Sequence, residues 1–132
     1  MPEVRENIVQ PELSYNIVGA CIDAFHEIGS GHREAYYQKA VALYLKKRGI
    51  PFQEQVHCPL ECLGEKIGSY FLDFLVAGTV VLELKVSGAF RRVDYQQVKG
   101  YLVHTGLPLG ILARFDERGV TTTRILRPIS VS

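Results

Sequence analysis

Two apolar segments separated by a short glycine-containing loop constrain this chain more than any other feature. Residues 67–76 and 80–86 are rich in β-branched and aromatic side chains, and Ala77-Gly78-Thr79 lies between them. Segments of this kind, joined by three residues that include a glycine, are typical of a β-hairpin. The pattern therefore predicts two adjacent antiparallel strands in the middle of the chain.

Three charged residues interrupt the apolar hairpin strands, where charge is costly unless it is paired or used. Asp73 lies in the first strand, and Glu83 and Lys85 share one face of the second because side chains alternate along a strand. A loop centred on Gly78 places Asp73 opposite Glu83, with Cβ atoms ~4.5–5.5 Å apart. Two carboxylates at that distance repel each other, so we expect a cation, a proton or Lys85 to reduce this repulsion.

The chemistry of these three side chains suggests a divalent-metal site. Mg²⁺ (or Mn²⁺) prefers one or two carboxylates together with water and phosphate oxygens, which Asp73 and Glu83 would provide. Lys85 would then stabilise negative charge developing on a phosphorus or orient an attacking water. The alternative is a buried salt bridge in which Lys85 neutralises one acid, since short patterns of this kind recur by chance.

The remaining patterns predict three helices and three further strand segments. These are helices over residues 11–28, 33–48 and 93–104, and strands over 52–63 (one or two strands around a proline), 108–115 and 120–126. The order is ααβββαββ, which predicts an α/β (mixed α+β) fold with a central mixed sheet of four to five strands flanked by helices. We expect residues 1–10 to form a loose arm and residues 11–132 to form one domain.

The composition fits an ordinary globular domain and excludes several other classes. With 47% apolar residues and a net charge of +1, the chain has no global field that would attract nucleic acid, so such binding requires a local patch. Cys21, Cys58 and Cys62 lack the spacing of a zinc knuckle or a disulfide framework, and we expect reduced thiols. No segment has the character of a signal peptide or a membrane helix, which favours a cytoplasmic protein without membrane contacts.

A further motif resembles that of a known family. Gly31-His32-Arg33-Glu34-Ala35-Tyr36-Tyr37 has the spacing Gly-x-x-Glu-x-x-Tyr, and a basic helix and the Asp and Glu-x-Lys strands follow it. In this order the residues resemble the GxxExxY family, which is grouped with the PD-(D/E)XK nuclease superfamily. The resemblance runs from about residue 12 to residue 115, and it implies a restriction-endonuclease-like core.

The resemblance assigns a role to each matching acid. Asp73 matches the first metal-binding acid, and Glu83 and Lys85 match the (D/E)XK element. Glu34 matches the helix acid that often completes the metal shell. Without the resemblance, Glu34 in the first turn of a helix would simply complement the helix dipole.

A second helix motif extends the resemblance to RecB-type nucleases. Gln97 and Tyr101 resemble the Q-xxx-Y motif of that branch, in which the glutamine and the tyrosine contact DNA or position the lysine. Their spacing places both residues on one helix face. The sequence also departs from the family, because Asp94 stands where a histidine is common and Leu72 replaces the proline of the superfamily name. The four cysteines that bind an iron–sulfur cluster in some RecB-type proteins are absent, so no such cluster is expected.

Together these matches imply a Mg²⁺-dependent nuclease, with DNA favoured over RNA as its substrate. The basic residues Arg91, Arg92 and Lys99 would contact phosphates, although a charge cluster is usually just solvated surface. The alternative is a non-catalytic module that binds nucleic acid or protein on a nuclease fold. By analogy with small nucleases, a homodimer is also plausible.

Overall fold

The computed structural model describes residues 10–86 and 88–128, so nine residues of the predicted arm lie outside the described residues. The helices are α1 (Pro11–Ile28), α2 (Glu34–Lys47) and α3 (Arg92–Thr105). The strands are β1 (Phe52–Cys62), β2 (Glu65–Val76), β3 (Val80–Val86), β4 (Leu109–Asp116) and β5 (Gly119–Leu126). The predicted order of elements is confirmed.

The helices begin and end where backbone chemistry favours it. Pro11 occupies the first turn of α1, where its missing N–H has no intrahelical partner to lose. Gly29 ends this helix with φ of 77°, and its N–H donates to the carbonyl of Phe25 at 2.7 Å. Gly106, with φ of 77° and ψ of 6°, ends α3 in the left-handed helical conformation.

The five strands form one mixed sheet in the order β1-β2-β3-β4-β5. Neighbouring strands are antiparallel except β3 and β4, which are parallel because α3 carries the chain back between them. The hairpin register pairs Val76 with Val80, as the three-residue loop predicts. The mixed α/β architecture predicted from the sequence is confirmed.

Helices cover both faces of this sheet. On one face, α1 and α2 pack through side chains such as Ile17 and Val41 against Leu82 and its neighbours. On the other face, α3 packs through Val98 and Leu102 against a second cluster. Because β3 is buried on both sides, most of its residues are apolar. The charged residues Glu83 and Lys85 are therefore exceptions within this strand.

The β1–β2 hairpin changes faces beside Asp73. Phe74 packs in the core under α1 and α2, whereas Leu72 and its partner Val56 pack in the core under α3, although all three are even-numbered. Between them, Gln55 falls opposite Asp73 in the register and has φ of 49°, in the left-handed region. A left-handed residue reverses the alternation of side chains, so Asp73 lies where the hairpin turns from one helical layer to the other.

The structure decides one open point of the strand prediction and moves one strand boundary. The segment around Pro59 forms one continuous strand, because β1 is an edge strand and a proline there loses no bond within the sheet. Only Leu63 and Gly64 form the following turn, so β2 begins at Glu65. Within the described part of the chain, no helix combines the length and apolar character that crossing a bilayer requires.

Candidate active site

The two hairpin acids lie opposite each other where β2 and β3 separate. The paired register runs as far as Phe74 and Leu82, which places Asp73 opposite Glu83. The backbone N–H of Asp73 donates to Oε1 of Glu83 at 2.7 Å, and the N–H of Leu84 donates to Oδ2 of Asp73 at 2.8 Å. Each carboxylate therefore accepts a hydrogen bond from a backbone N–H of the opposite strand, and these two bonds hold Asp73 and Glu83 in place.

Burial makes both acids reluctant to ionise. Asp73 is 9% exposed and Glu83 is 7% exposed. Burial, followed by the charge of Asp73, raises the pKa of Glu83 to about 8. Burial also raises the pKa of Asp73, although the Leu84 N–H and Lys85 act in the opposite direction. The hairpin thus concentrates negative charge that a proton or a cation must neutralise.

Glu34 joins these acids from the first turn of α2. Its residue is exposed, yet partial burial of the carboxyl group raises its pKa, and the neighbouring charge of Asp73 raises it further. Lys85 acts in the opposite direction and lowers the pKa of Glu34. The structure therefore brings Glu34, Asp73, Glu83 and Lys85 into one electrostatic cluster, which is the grouping that the family resemblance implied.

The other two motif residues fix the start of α2. Gly31 has φ of 87°, which glycine adopts without strain. Tyr37 is 1% exposed, stacks on Phe115 with ring centroids 4.4 Å apart, and donates from its hydroxyl to the carbonyl of Gly29 at 2.7 Å. Tyr37 is therefore a core residue. Because Tyr37 anchors one turn of α2, it also determines where Glu34 reaches the sheet.

Lys85 forms its ion pair with a residue outside the predicted set. Its Nζ lies 3.6 Å from Oδ1 of Asp94, a residue of α3 that is 4% exposed. Asp94 also accepts from the backbone N–H of Arg91 at 2.8 Å, which caps α3. No ion pair joins Lys85 to Asp73 or Glu83 among the described residues, so the simple salt-bridge alternative is not the arrangement found. The spacing of the sequence does not indicate this contact between β3 and α3.

Tyr70 lies beside the Q-xxx-Y pair. Tyr101 is buried in the core under α3, where its ring packs edge-on against Tyr70 at a centroid distance of 6.3 Å. Gln97 is exposed and lines a cavity of about 540 Å³ together with Tyr70 and Cys58. Burial raises the pKa of Tyr70, with a smaller contribution from the charge of Glu83. Tyr70 is therefore a neighbour of Glu83 that the sequence analysis missed, because no motif marks it.

The predicted basic cluster lies on the surface of α3 and the residue before it. Arg91, Arg92 and Lys99 are all exposed. Arg91 also lies 3.7 Å from the carboxylate of Asp94. A cavity of about 660 Å³ opens at the same end of β3 and is lined by residues of four segments: Ser30, Gly31, His32, Val86, Gly88, Ala89, Arg114, Phe115, Asp116, Glu117 and Arg118.

The hairpin acids fit a hard cation, although no complete cage is formed. In residues 10–86 and 88–128, no three His, Cys, Asp or Glu side chains are arranged as a ready metal-binding group. The predicted shell of Asp73, Glu83 and Glu34 is therefore not assembled as such. Carboxylate oxygens are the ligands that Mg²⁺ prefers, and burial raises the pKa values of all three acids.

The fold and the carboxylate–lysine cluster together define a nuclease-type α/β domain. The sequence profile of the PD-(D/E)XK nuclease superfamily matches residues 11–126, which is most of the chain. The chain belongs to this superfamily. No curated protein matches its sequence.

Two solved structures are similar to this fold. The crystal structure of SSO0001 aligns with a TM-score of 0.53 and 19% identity, over 70% of this chain and 49% of that one. An alkaline exonuclease from Laribacter hongkongensis, LHK-Exo, aligns with a TM-score of 0.50 and 20% identity, over 66% of this chain and 52% of that one. The chain thus spans about half the length of either structure, and at these identities the likeness concerns the fold alone.

Proposed function

We propose that this protein is a metal-dependent nuclease that hydrolyses phosphodiester bonds in nucleic acid, with DNA as the preferred substrate. The observation that carries the proposal is the cluster of Glu34, Asp73, Glu83 and Lys85 where β2 and β3 separate. Membership of the PD-(D/E)XK nuclease superfamily supports the same reaction class.

Asp73 and Glu83 would hold a divalent cation, with Glu34 as an outer or shared ligand. Mg²⁺ or Mn²⁺ bound there would supply Lewis-acid charge and lower the pKa of a coordinated water. The backbone N–H groups of Asp73 and Leu84 fix one oxygen of each hairpin acid, so their carboxylates are oriented before substrate arrives. This preorganisation reduces the rearrangement that the reaction requires.

Lys85 would act on the reacting phosphate. Its side chain is 31% exposed and extends from the strand that carries Glu83, so its ammonium group is accessible to substrate. A cation at this place offsets negative charge on the phosphoryl oxygens in the transition state. The exposed side chains of Arg92 and Lys99 would contact phosphates farther along the strand. Gln97 would act from the neighbouring cavity and not from direct contact with the acids.

A cleavage assay tests this proposal. Purified protein is incubated with single-stranded, duplex and branched DNA and with RNA, with Mg²⁺, with Mn²⁺ or with EDTA. We expect metal-dependent cleavage of at least one DNA form, and a loss of about 100-fold or more in kcat for Lys85→Ala. Glu65→Gln serves as the control, because it removes an exposed acid of the same hairpin. Absence of cleavage of every substrate with either metal would refute the proposal.

A second candidate function is a binding module without catalysis. It is favoured by one observation, namely that no three metal-ligating side chains form a ready group among the described residues. Such a module would bind DNA in a salt-dependent manner, because phosphate contacts release counterions. Its affinity would not change when Mn²⁺ is added or when Asp73 is replaced by Asn. An enzyme would show metal-dependent binding that Asp73→Asn abolishes.

A further inference from the structure

Gln55 combines an unusual backbone conformation with a place beside the candidate active site. Its φ of 49° lies in the left-handed region, which side chains other than glycine rarely adopt. It falls within strand β1, between residues paired with β2, and directly opposite Asp73 in the register. Left-handed residues inside a strand are uncommon, and they cluster at functional sites when the surroundings hold them in place.

Two other residues show that local turn geometry alone can produce a left-handed backbone conformation. Leu63 has φ of 51° and Ala77 has φ of 52°, and both lie in the tight turns that join successive strands. Left-handed residues are ordinary in such turns. Leu63 is 99% exposed, whereas Gln55 makes the polar contacts described next.

The side chain of Gln55 bridges β1, β2 and α2. Its Nε2 donates to Oε1 of Gln38 at 3.0 Å. Gln38 in turn donates to the carboxylate of Glu54 at 3.3 Å. Gln55 also falls opposite Asp73 in the register, close enough for its side chain to lower the pKa of the Asp73 carboxyl group. Since one amide carries two N–H donors, it can serve Gln38 and Asp73 at the same time.

We propose that Gln55 is a positioning residue that fixes the Asp73 carboxylate relative to Glu34. Gln38 lies one helical turn after Glu34, on the same side of α2, so the Gln55–Gln38 bond ties the helix acid to the strand acid. Glycine would adopt this backbone conformation without strain, so backbone geometry alone does not account for a glutamine here. The role in catalysis rests on the nuclease function proposed above.

Replacement of Gln55 by glycine separates a positioning role from a structural one. Gln55→Gly relieves the backbone, so we expect the melting temperature to stay the same or to rise. We expect kcat for an oligonucleotide to fall about tenfold or more, because small displacements of reacting groups are costly. KM should stay within about twofold, since Gln55 acts through Asp73 and not on the substrate.

Leu63→Gly is the matched control, because it relieves the same backbone conformation at an exposed turn. It should raise the melting temperature similarly and leave kcat unchanged. Gln55→Asn keeps an amide and tolerates the left-handed region, so it should recover part of the lost kcat. An unchanged kcat in Gln55→Gly would overturn the proposal. So would a loss of kcat that is accompanied by a lower melting temperature.

One measurement keeps this inference separate from the nuclease proposal. The side-chain NH₂ signal of Gln55 in a ¹⁵N NMR spectrum is assigned by its absence in Gln55→Gly. We expect this signal to move when Asp73 is replaced by Ala, and to stay in place when the exposed Glu65 is replaced by Ala. A signal indifferent to Asp73 would overturn the positioning role. A wild-type protein that cleaves nothing but shows the expected movement would count against the nuclease proposal alone.

Discussion

Replacing Glu83 by glutamine is expected to stabilise the protein at alkaline pH. Glu83 is 7% exposed, and burial raises its pKa from 4.5 to about 8. Above that pH the folded protein must hold an ionised carboxylate beside Asp73. Glutamine keeps an oxygen that can accept from the Asp73 N–H, as Oε1 of Glu83 does at 2.7 Å, but it carries no charge. The substitution therefore removes the buried charge of Glu83 and its repulsion from Asp73, and it keeps the hydrogen bond from the Asp73 N–H.

The expected magnitude follows from the pKa difference. Each pKa unit corresponds to about 1.4 kcal/mol, so a rise from 4.5 to about 8 sets an upper limit of about 5 kcal/mol. Because Asp73 shares the local charge and the pair titrates together, we expect a gain of ~2–4 kcal/mol in the free energy of unfolding above pH 8. Few polar substitutions at a buried position stabilise a protein, so the sign alone is informative.

The sign of the pH dependence is also fixed. A carboxyl group whose pKa is raised on folding binds more protons in the folded state between pH 4.5 and about 8. Wild-type stability therefore falls as pH rises through this window, and the advantage of Glu83→Gln grows by ~2–3 kcal/mol between about pH 5.5 and pH 9. Urea unfolding followed by circular dichroism in EDTA measures the difference. A pH-independent difference, or a variant that is less stable than wild type at pH 9, would refute the reasoning. Glu65→Gln, on the same hairpin but exposed, should show no such trend.

Two further substitutions test contacts around the site. Asp94→Asn removes the charge that pairs with Lys85 at 3.6 Å but keeps an oxygen that can accept from the Arg91 N–H. We expect kcat, measured by cleavage kinetics, to fall about tenfold. The melting temperature, measured by thermal unfolding, should change little. A large loss of stability without a kinetic defect would contradict that role. Tyr37→Phe removes the bond to the Gly29 carbonyl, which should lower the free energy of unfolding by about 1 kcal/mol in urea titrations. An unchanged midpoint would show that this bond does not hold α2.

Local patterns predicted the hairpin correctly because its geometry depends on few residues. The three residues of the Ala77-Gly78-Thr79 loop set the register, and the period of two then places Asp73 opposite Glu83. Glu34 could not be placed in this way, since it reaches the sheet from a helix far away in sequence. Only the resemblance to a family connected it with the hairpin.

Contacts that depend on tertiary packing were beyond the reach of the sequence. The Lys85–Asp94 pair joins β3 to the crossover helix α3, and the charge of Glu83 acts on Tyr70 because the hairpin changes faces at Asp73. This change of faces depends on the left-handed φ of Gln55, a conformation that no residue propensity predicts for glutamine. Pro59 left open whether residues 52–63 form one strand or two, and the structure has one because an edge strand tolerates a proline that a central strand would reject.

Binding of Mn²⁺ to the metal-free protein tests the central claim most directly. A titration of wild-type protein near pH 8, followed by isothermal calorimetry, should reveal a site that releases protons as the cation replaces them on the crowded acids. Asp73→Asn should weaken this binding by about tenfold or more, and Glu65→Gln should leave it unchanged. Absence of binding, or equal binding by Asp73→Asn, would contradict a cation site on the hairpin acids.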